Sequence, residues 1–173
     1  MKKVLFIVML LTAWVGAQAQ FQVGGTLGID VTNVGSDGEG SVTQTTLAIT
    51  PEVGYRFNKT WTVGAQVGFG VVSLEGESLT KFAIMPYVRA TFASVKMVDF
   101  FGEAAIGYGH QSVEGYGVSG TILALRPGMA INFSPKFAVI ARTNLLQYEY
   151  WDGDHGTEFS INKGFDLGVQ FTF

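Results

Sequence analysis

The stretch "FDLGVQFTF", residues 165–173, alternates without a break. Phe165, Leu167, Val169, Phe171 and Phe173 are large and apolar; Asp166, Gly168, Gln170 and Thr172 stand between them. A period of two marks a strand with one apolar and one polar face. The apolar series runs to the last residue, where chains in water usually fray. Which face of such a strand points inward decides the fold.

The same alternation recurs upstream, and no helical period competes with it. It predicts eight strands, at 21–34, 43–57, 61–74, 80–93, 99–111, 120–133, 137–150 and 159–173. Three connections are tight, "NKT" (58–60), "SVKMV" (94–98) and "SPK" (134–136). Four read as longer, Gly-rich and acidic: "GSDGEGSV" (35–42), "EGES" (75–78), "VEGYGVSG" (113–120) and "WDGDHGTEF" (151–159). Alternating short and long connections imply an up-and-down antiparallel meander with two unlike ends. "PEVGYRF" (51–57), "PYVRATF" (86–92) and "PGMAINF" (127–133) repeat a Pro six residues before a Phe, so the repeating unit is a hairpin. Pro inside a sheet predicts a bulge or bend at Pro51, Pro86 and Pro127.

Length and composition agree with one domain of unusual surface. The chain has 173 residues, of which 47% are hydrophobic and only 14% charged, against a usual charged share of about 25%. No apolar run after Gln20 approaches the ~18 residues of a membrane helix. "MKKVLFIVMLLTAWVGAQA" (1–19) has two lysines, an apolar core and an A-x-A end, which predicts a secretory signal peptide cleaved after Ala19 and a barrel domain over 20–173. Removing Lys2 and Lys3 from eleven basic residues leaves nine against fourteen acidic ones, a net charge of −5, which argues against nucleic acid. With no Cys there is no disulfide framework.

Three observations choose the inner face. The polar face carries Gln22, Asp30, Glu52, Arg56, Gln66, Tyr87, Arg89, Glu103, Arg126, Arg142, Asn144, Asp166 and Gln170 among many glycines, with no Lys or Glu coat suited to water. Its charges balance: Asp30, Glu52, Glu103 and Asp166 against Arg56, Arg89, Arg126 and Arg142, as a closed interior requires. Arg supplies every cation in this reading, suiting a dry site that needs several hydrogen bonds per charge. Finally, Phe57, Phe92, Phe133 and Phe173 close the even strands and Phe21, Trp61, Phe100 and Phe137 open the odd ones. All eight fall at the tight-turn end, the form of an interfacial aromatic girdle. The fold class is therefore an all-β, eight-stranded transmembrane β-barrel, polar inside and apolar outside. A soluble, lipocalin-like barrel would invert both faces.

The two ends differ in charge. The tight turns hold Lys59, Lys96 and Lys136; the longer connections hold Asp37, Glu39, Glu75, Glu77, Glu114, Asp152, Asp154 and Glu158. Tight turns face the periplasm in this architecture. The acidic connections read as solvated surface, with divalent-cation binding as a second reading.

The stretch "TPEVGYRFNKTWTVGAQVGFG" (50–70) and the whole pattern after residue 20 resemble small eight-stranded outer-membrane barrels of the OmpX and OmpA-transmembrane type. In particular, they resemble the porin-like outer-membrane β-barrel proteins of Bacteroidetes. The resemblance implies an outer-membrane location and contact with outer-membrane lipid and lipopolysaccharide. It also implies recognition of the Phe173-terminated strand by the barrel assembly machinery. It implies no catalytic residues. A monomer is expected, with no cofactor and no named surface partner.

Two constellations invite chemistry. In "GHQSVEG" (109–115), His110 and Ser112 share the outer face and Glu114 continues the parity, as in a lipid A deacylase dyad. Val113 stands where that family has Asn, and a polar strand end explains both residues equally well. "DGDHGTE" (152–158) offers Asp152, Asp154, His155 and Glu158 as oxygen and nitrogen ligands, but reads more simply as an acidic loop. An eight-stranded barrel is just filled by side chains, so the charged lumen predicts a plug rather than a pore. The function expected is that of a structural or surface-interaction barrel acting through its acidic outer loops; a small ligand-binding or transport barrel is the alternative, ahead of a lipid-modifying enzyme.

Overall fold

In a computed structural model of the protein, eight antiparallel strands pair in sequence order and close, β1 on β8. The strands are β1 (Gln20–Val34), β2 (Val42–Arg56), β3 (Trp61–Leu74), β4 (Glu77–Val95), β5 (Val98–Val113), β6 (Tyr116–Ser134), β7 (Phe137–Trp151) and β8 (Thr157–Thr172). The structure describes residues 20–34, 42–74, 77–113, 116–152 and 157–173; at 30–34, 42–45, 72–74, 77–78, 113, 116 and 157–163 it describes backbone alone. The segment 1–19 lies outside the described residues, as do Asp37, Glu39, Glu75, Glu114, Asp154 and His155.

A closed barrel leaves no free edge, so every strand finds its hydrogen-bond partners within the wall. Strands of 14 to 19 residues exceed the ~9–11 needed to cross a bilayer, so they project beyond it. The projection is largest along β4–β6 and corrects two connections. The β3–β4 ladder runs to Leu74↔Glu77 and the β5–β6 ladder to Val113↔Tyr116, leaving only 75–76 and 114–115 between strands. Gly and acidic residues suggested loops there, but continuous pairing overrides weak local propensity.

The parity is apolar outward. Leu27, Ile29, Leu47, Ile49, Phe69 and Leu167 are exposed, while Gln22, Glu52, Gln66, Glu103, Arg142 and Gln170 are buried. The polar groups therefore line the lumen. At the tight-turn end Phe21, Phe57, Trp61, Phe92, Phe133 and Phe173 project outward as exposed rings. Phe100 and Phe137 are half-buried, Phe137 between Phe133 (6.0 Å) and Phe171 (5.2 Å). Two of these rings owe their position to irregular pairing: register shifts pass over Phe92 and Phe133. Each is an extra residue that its ladder omits, as in a β-bulge.

The three prolines behave differently from one another. Pro51 and Pro86 each pair with the preceding strand, at Gly25 and Ala65, and cause no register shift. Only Pro127 lies at a shift, between Leu125 and Gly128. A missing N–H removes one ladder bond without demanding an extra residue, so a bulge at all three positions does not follow.

Candidate functional site

The polar lumen residues meet in one network. Gln66 on β3 is fully buried; its Nε2 donates to Glu52 Oε2 at 3.2 Å and to Glu103 Oε1 at 3.1 Å. Its Oε1 accepts from Arg126 Nη2 at 2.8 Å. Arg89 on β4 donates from Nε and Nη2 to Glu103 Oε2 (2.9 and 2.7 Å), from Nη2 to Glu52 Oε1 (3.2 Å) and from Nη1 to Gln170 Oε1 (2.9 Å). Arg142 on β7 donates to Asp166 Oδ2 (3.0 Å), Glu52 Oε2 (2.9 Å) and Thr26 Oγ1 (2.9 Å). Arg126 Nη2 lies 2.6 Å from Glu103 Oε1.

Three carboxylates, of Glu52, Glu103 and Asp166, thus meet three guanidinium groups, of Arg89, Arg126 and Arg142. Every strand sends at least one side chain into the network. Such pairs do not outweigh a good apolar filling, but a member that loses its partner is left charged and desolvated. The guanidinium is the group that serves several acceptors at once: Arg89 and Arg142 use all three nitrogens. Arg126 uses one, and its Nε is the one buried side-chain nitrogen or oxygen without a hydrogen-bond partner among the described residues.

Apolar surface flanks the charges. The Arg89 guanidinium lies 4.5 Å from the Phe101 ring and 5.1 Å from the Tyr87 ring, a cation–π pair on each. Phe101 clusters with Ala130, Ala138 and Ile140, all buried. This layer separates the network from a polar mouth at the tight-turn end, where Asp99 accepts from Ser94 Oγ (2.6 Å) and Asn132 Nδ2 (2.8 Å). Arg56 belongs to that mouth. It makes no ion pair among the described residues; Gln22, its amide turned to suit its neighbours, accepts from Arg56 Nε at 3.2 Å. Side chains pack against much of the glycine-lined wall. A methyl group added at Gly64 would lie 2.6 Å from the Tyr87 hydroxyl, and one at Gly128 would lie 2.5 Å from the Phe101 ring.

With a polar, paired interior inside an apolar closed wall, the comparisons with known proteins can be read. Residues 4–173 match the family described as outer membrane protein beta-barrel domain. The chain belongs to that family. Among solved structures the barrel is similar to Neisserial surface protein A (TM-score 0.57, 16% identity, covering 90% of this chain and 97% of that one). It is also similar to OprG from Pseudomonas aeruginosa (0.55, 10%, 91% and 96%). A third is Ail of Yersinia pestis in complex with the heparin analogue sucrose octasulfate (0.54, 16%, 90% and 97%). At these identities the likeness shows the fold. A comparison with curated proteins gave no match. The protein is an outer-membrane β-barrel, located in the cell outer membrane.

Glu52, Arg89, Glu103, Arg126, Arg142 and Asp166 come together; Arg56 stands apart, and the Asp30 side chain lies outside the described residues. Gln66 and Gln170, read only as polar-face residues, are bridges within the network. The outer-membrane barrel does contain a lumen Lys: Lys81 on β4 shares the parity of Arg89, and its Nζ lies 5.9 Å from the Trp151 ring centre. By sequence Tyr148, Tyr150 and Trp151 read together as an outer interfacial belt; Trp151 is instead buried and donates from Nε1 to Glu149 Oε2 at 2.9 Å. One residue of parity separates it from its exposed tyrosine neighbours. His110 faces outward, but its ring Nδ1 is 3.0 Å from Ser119 Oγ across the β5–β6 ladder rather than engaged with Ser112. Of the acidic constellation at 152–158, only Asp152 has a described side chain, and it is exposed.

Proposed function

We propose that this outer-membrane barrel is a non-enzymatic structural or surface-interaction protein whose lumen is plugged by its own side chains. The observation that carries the reading is the Glu52–Glu103–Arg89–Arg142–Gln66 network, whose members reach one another from β2, β3, β4, β5 and β7. Opening a path would separate buried charges from their partners, at several kcal/mol for each one stranded. The Phe101–Ile140 layer adds a second obstruction below it.

Contact with the surroundings then falls to the barrel's outer end and its apolar wall. Lipid and lipopolysaccharide cover the wall, and the acidic outer connections supply whatever surface contact the protein makes. The C-terminal strand, ending at Phe173, is the segment read by the assembly machinery. The pairing of His110 Nδ1 with Ser119 Oγ supports reading these residues as a polar strand end rather than as a dyad with Ser112.

Purified protein in planar bilayers tests the plug. The expected result is no steady conductance above baseline; stable open channels of general-porin size would defeat the reading.

A further inference from the structure

The tight-turn mouth of the barrel holds a cation that the charge network does not use. Arg56, the last residue of β2, lines a recess with Gln20, Asp99, Asn132, Ala138 and Thr172, which come from five other strands. Lys96 and Met97, in the turn between β4 and β5, line it too. The recess holds about 490 Å³, within the range of about 300–1,000 Å³ usual for small-molecule sites. Every residue that lines it has a described side chain. Ala138 joins its floor to the buried layer of Phe101, Ala130 and Ile140. The tight-turn end faces the periplasm in this architecture.

The charges of the recess do not cancel. Arg56 is half-buried and makes no ion pair among the described residues. Its Nε and Nη2 both go to one neutral oxygen, that of the Gln22 amide, at 3.2 and 3.3 Å, and its Nη1 has no hydrogen-bond partner among the described residues. Asp99, the acid of the recess, is already engaged: Oδ1 accepts from Ser94 Oγ and Oδ2 from Asn132 Nδ2. Lys96 is exposed at the rim and makes no ion pair among the described residues. Lys136 and Phe173 do not line the recess. Arg56 and Lys96 against Asp99 leave one net positive charge, which suits a monoanion better than a dianionic phosphate. A half-buried guanidinium with a free N–H matches a planar carboxylate. The Gln20 amide and the Ser134 and Thr172 hydroxyls can each donate and accept, as a peptide unit requires, and Met97, Pro135 and Phe137 add apolar surface for a small side chain.

We propose that the tight-turn mouth binds the carboxylate end of a short peptide, with Arg56 as its anchor and Lys96 as the second cation. The site lies on the periplasmic side of the Phe101 layer, so it needs no open lumen and stands whether or not the barrel conducts.

Protein purified from outer membranes and placed in lipid nanodiscs, where both mouths are accessible, is titrated with N-acetyl-alanyl-alanine and with its C-terminal amide, and binding is read by ligand-detected NMR. Wild type should bind the carboxylate saturably and the amide about tenfold less tightly or worse, the worth of one charge-assisted hydrogen bond. Arg56→Met should remove that preference. Lys96→Asn, which suits the left-handed backbone there (φ 55°), should weaken carboxylate binding severalfold, and Asp99→Asn should strengthen it. Absence of saturable binding to wild type would overturn the proposal, as would equal binding of the amide or a preference that survives Arg56→Met. Inorganic phosphate that displaces the peptide below the concentration at which the peptide itself binds would assign the recess to another anion and overturn it too. Should Arg56→Met fail to fold, the two other variants decide: carboxylate binding unchanged in both would overturn the proposal.

Discussion

Strand β5 has two characters. Toward lipid it presents Gly102, Ala104, Ile106 and Tyr108; toward the lumen it presents Phe101, Glu103, Ala105 and Gly107. On the outer side a substitution meets fluid hydrocarbon, which adapts to it. On the inner side Glu103 alone contacts Arg89, Arg126, Arg142 and Gln66 from four other strands. The same backbone thus carries a tolerant surface and an intolerant one, one residue apart. Outside, a position requires hydrophobicity; inside, it requires matched charge and shape.

The largest effect that would sharpen this contrast lies at the arginines. Arg89→Met and Arg142→Met should each destabilise by about 3–5 kcal/mol in reversible urea unfolding from vesicles, because each strands buried carboxylates. Arg126→Lys should cost about 1 kcal/mol, since one nitrogen makes both of its bonds. Equal losses at all three would show that bond geometry does not set the cost. A smaller loss is expected at Gly64→Ala, roughly 1–3 kcal/mol from overpacking, where the added methyl meets both Tyr87 and the Val53 carbonyl. A neutral result there would mean that the inner wall yields as readily as the outer one.

The outer side supplies the smaller effects. Phe173→Ala removes a ring that is 75% exposed and should cost roughly 1 kcal/mol in refolding. On the proposal that the assembly machinery reads this alternation, its accumulation in the outer membrane of cells should fall much further. Normal cellular insertion, or failure to refold in detergent, would each assign the ring another role. Smallest of all should be Gly102→Ala, within about 0.5 kcal/mol of wild type: a Cβ there meets nothing within 4 Å. A large loss would break the contrast at its most tolerant point.

Parity made the wall legible from sequence. Once period two is assigned, Glu52, Glu103, Asp166, Arg89, Arg126 and Arg142 must share a face, and their balance says that the face is closed. The same parity puts Phe101, two residues before Glu103, and Ile140, two before Arg142, on the inner face. What it does not show is their contacts, such as the Phe101 ring against the Arg89 guanidinium. Trp151 was open to reading by parity with Glu149, but proximity to two interfacial tyrosines outweighs one step of alternation when only composition is weighed. Nor does a sequence show distance across a lumen, so nothing in it distinguishes Gln66 as a bridge.

The separations within the network bear on how the barrel forms. Arg142 binds Thr26 across 116 residues and Glu52 across 90; Arg89 binds Gln170 across 81. A lone hairpin lacks most of these partners, since the closest in sequence are still 14 residues apart. Contacts of this range are slow to form, because the intervening chain must be ordered before they are gained. Inserting hairpins one after another would bring arginines into hydrocarbon before their carboxylates arrive. The economical route is therefore concerted: the sheet assembles where water still reaches its polar face, and crossing the bilayer coincides with the meeting of β1 and β8. Closure is then the rate-limiting event, and variants of the network should slow insertion at that step while leaving early strand pairing unchanged.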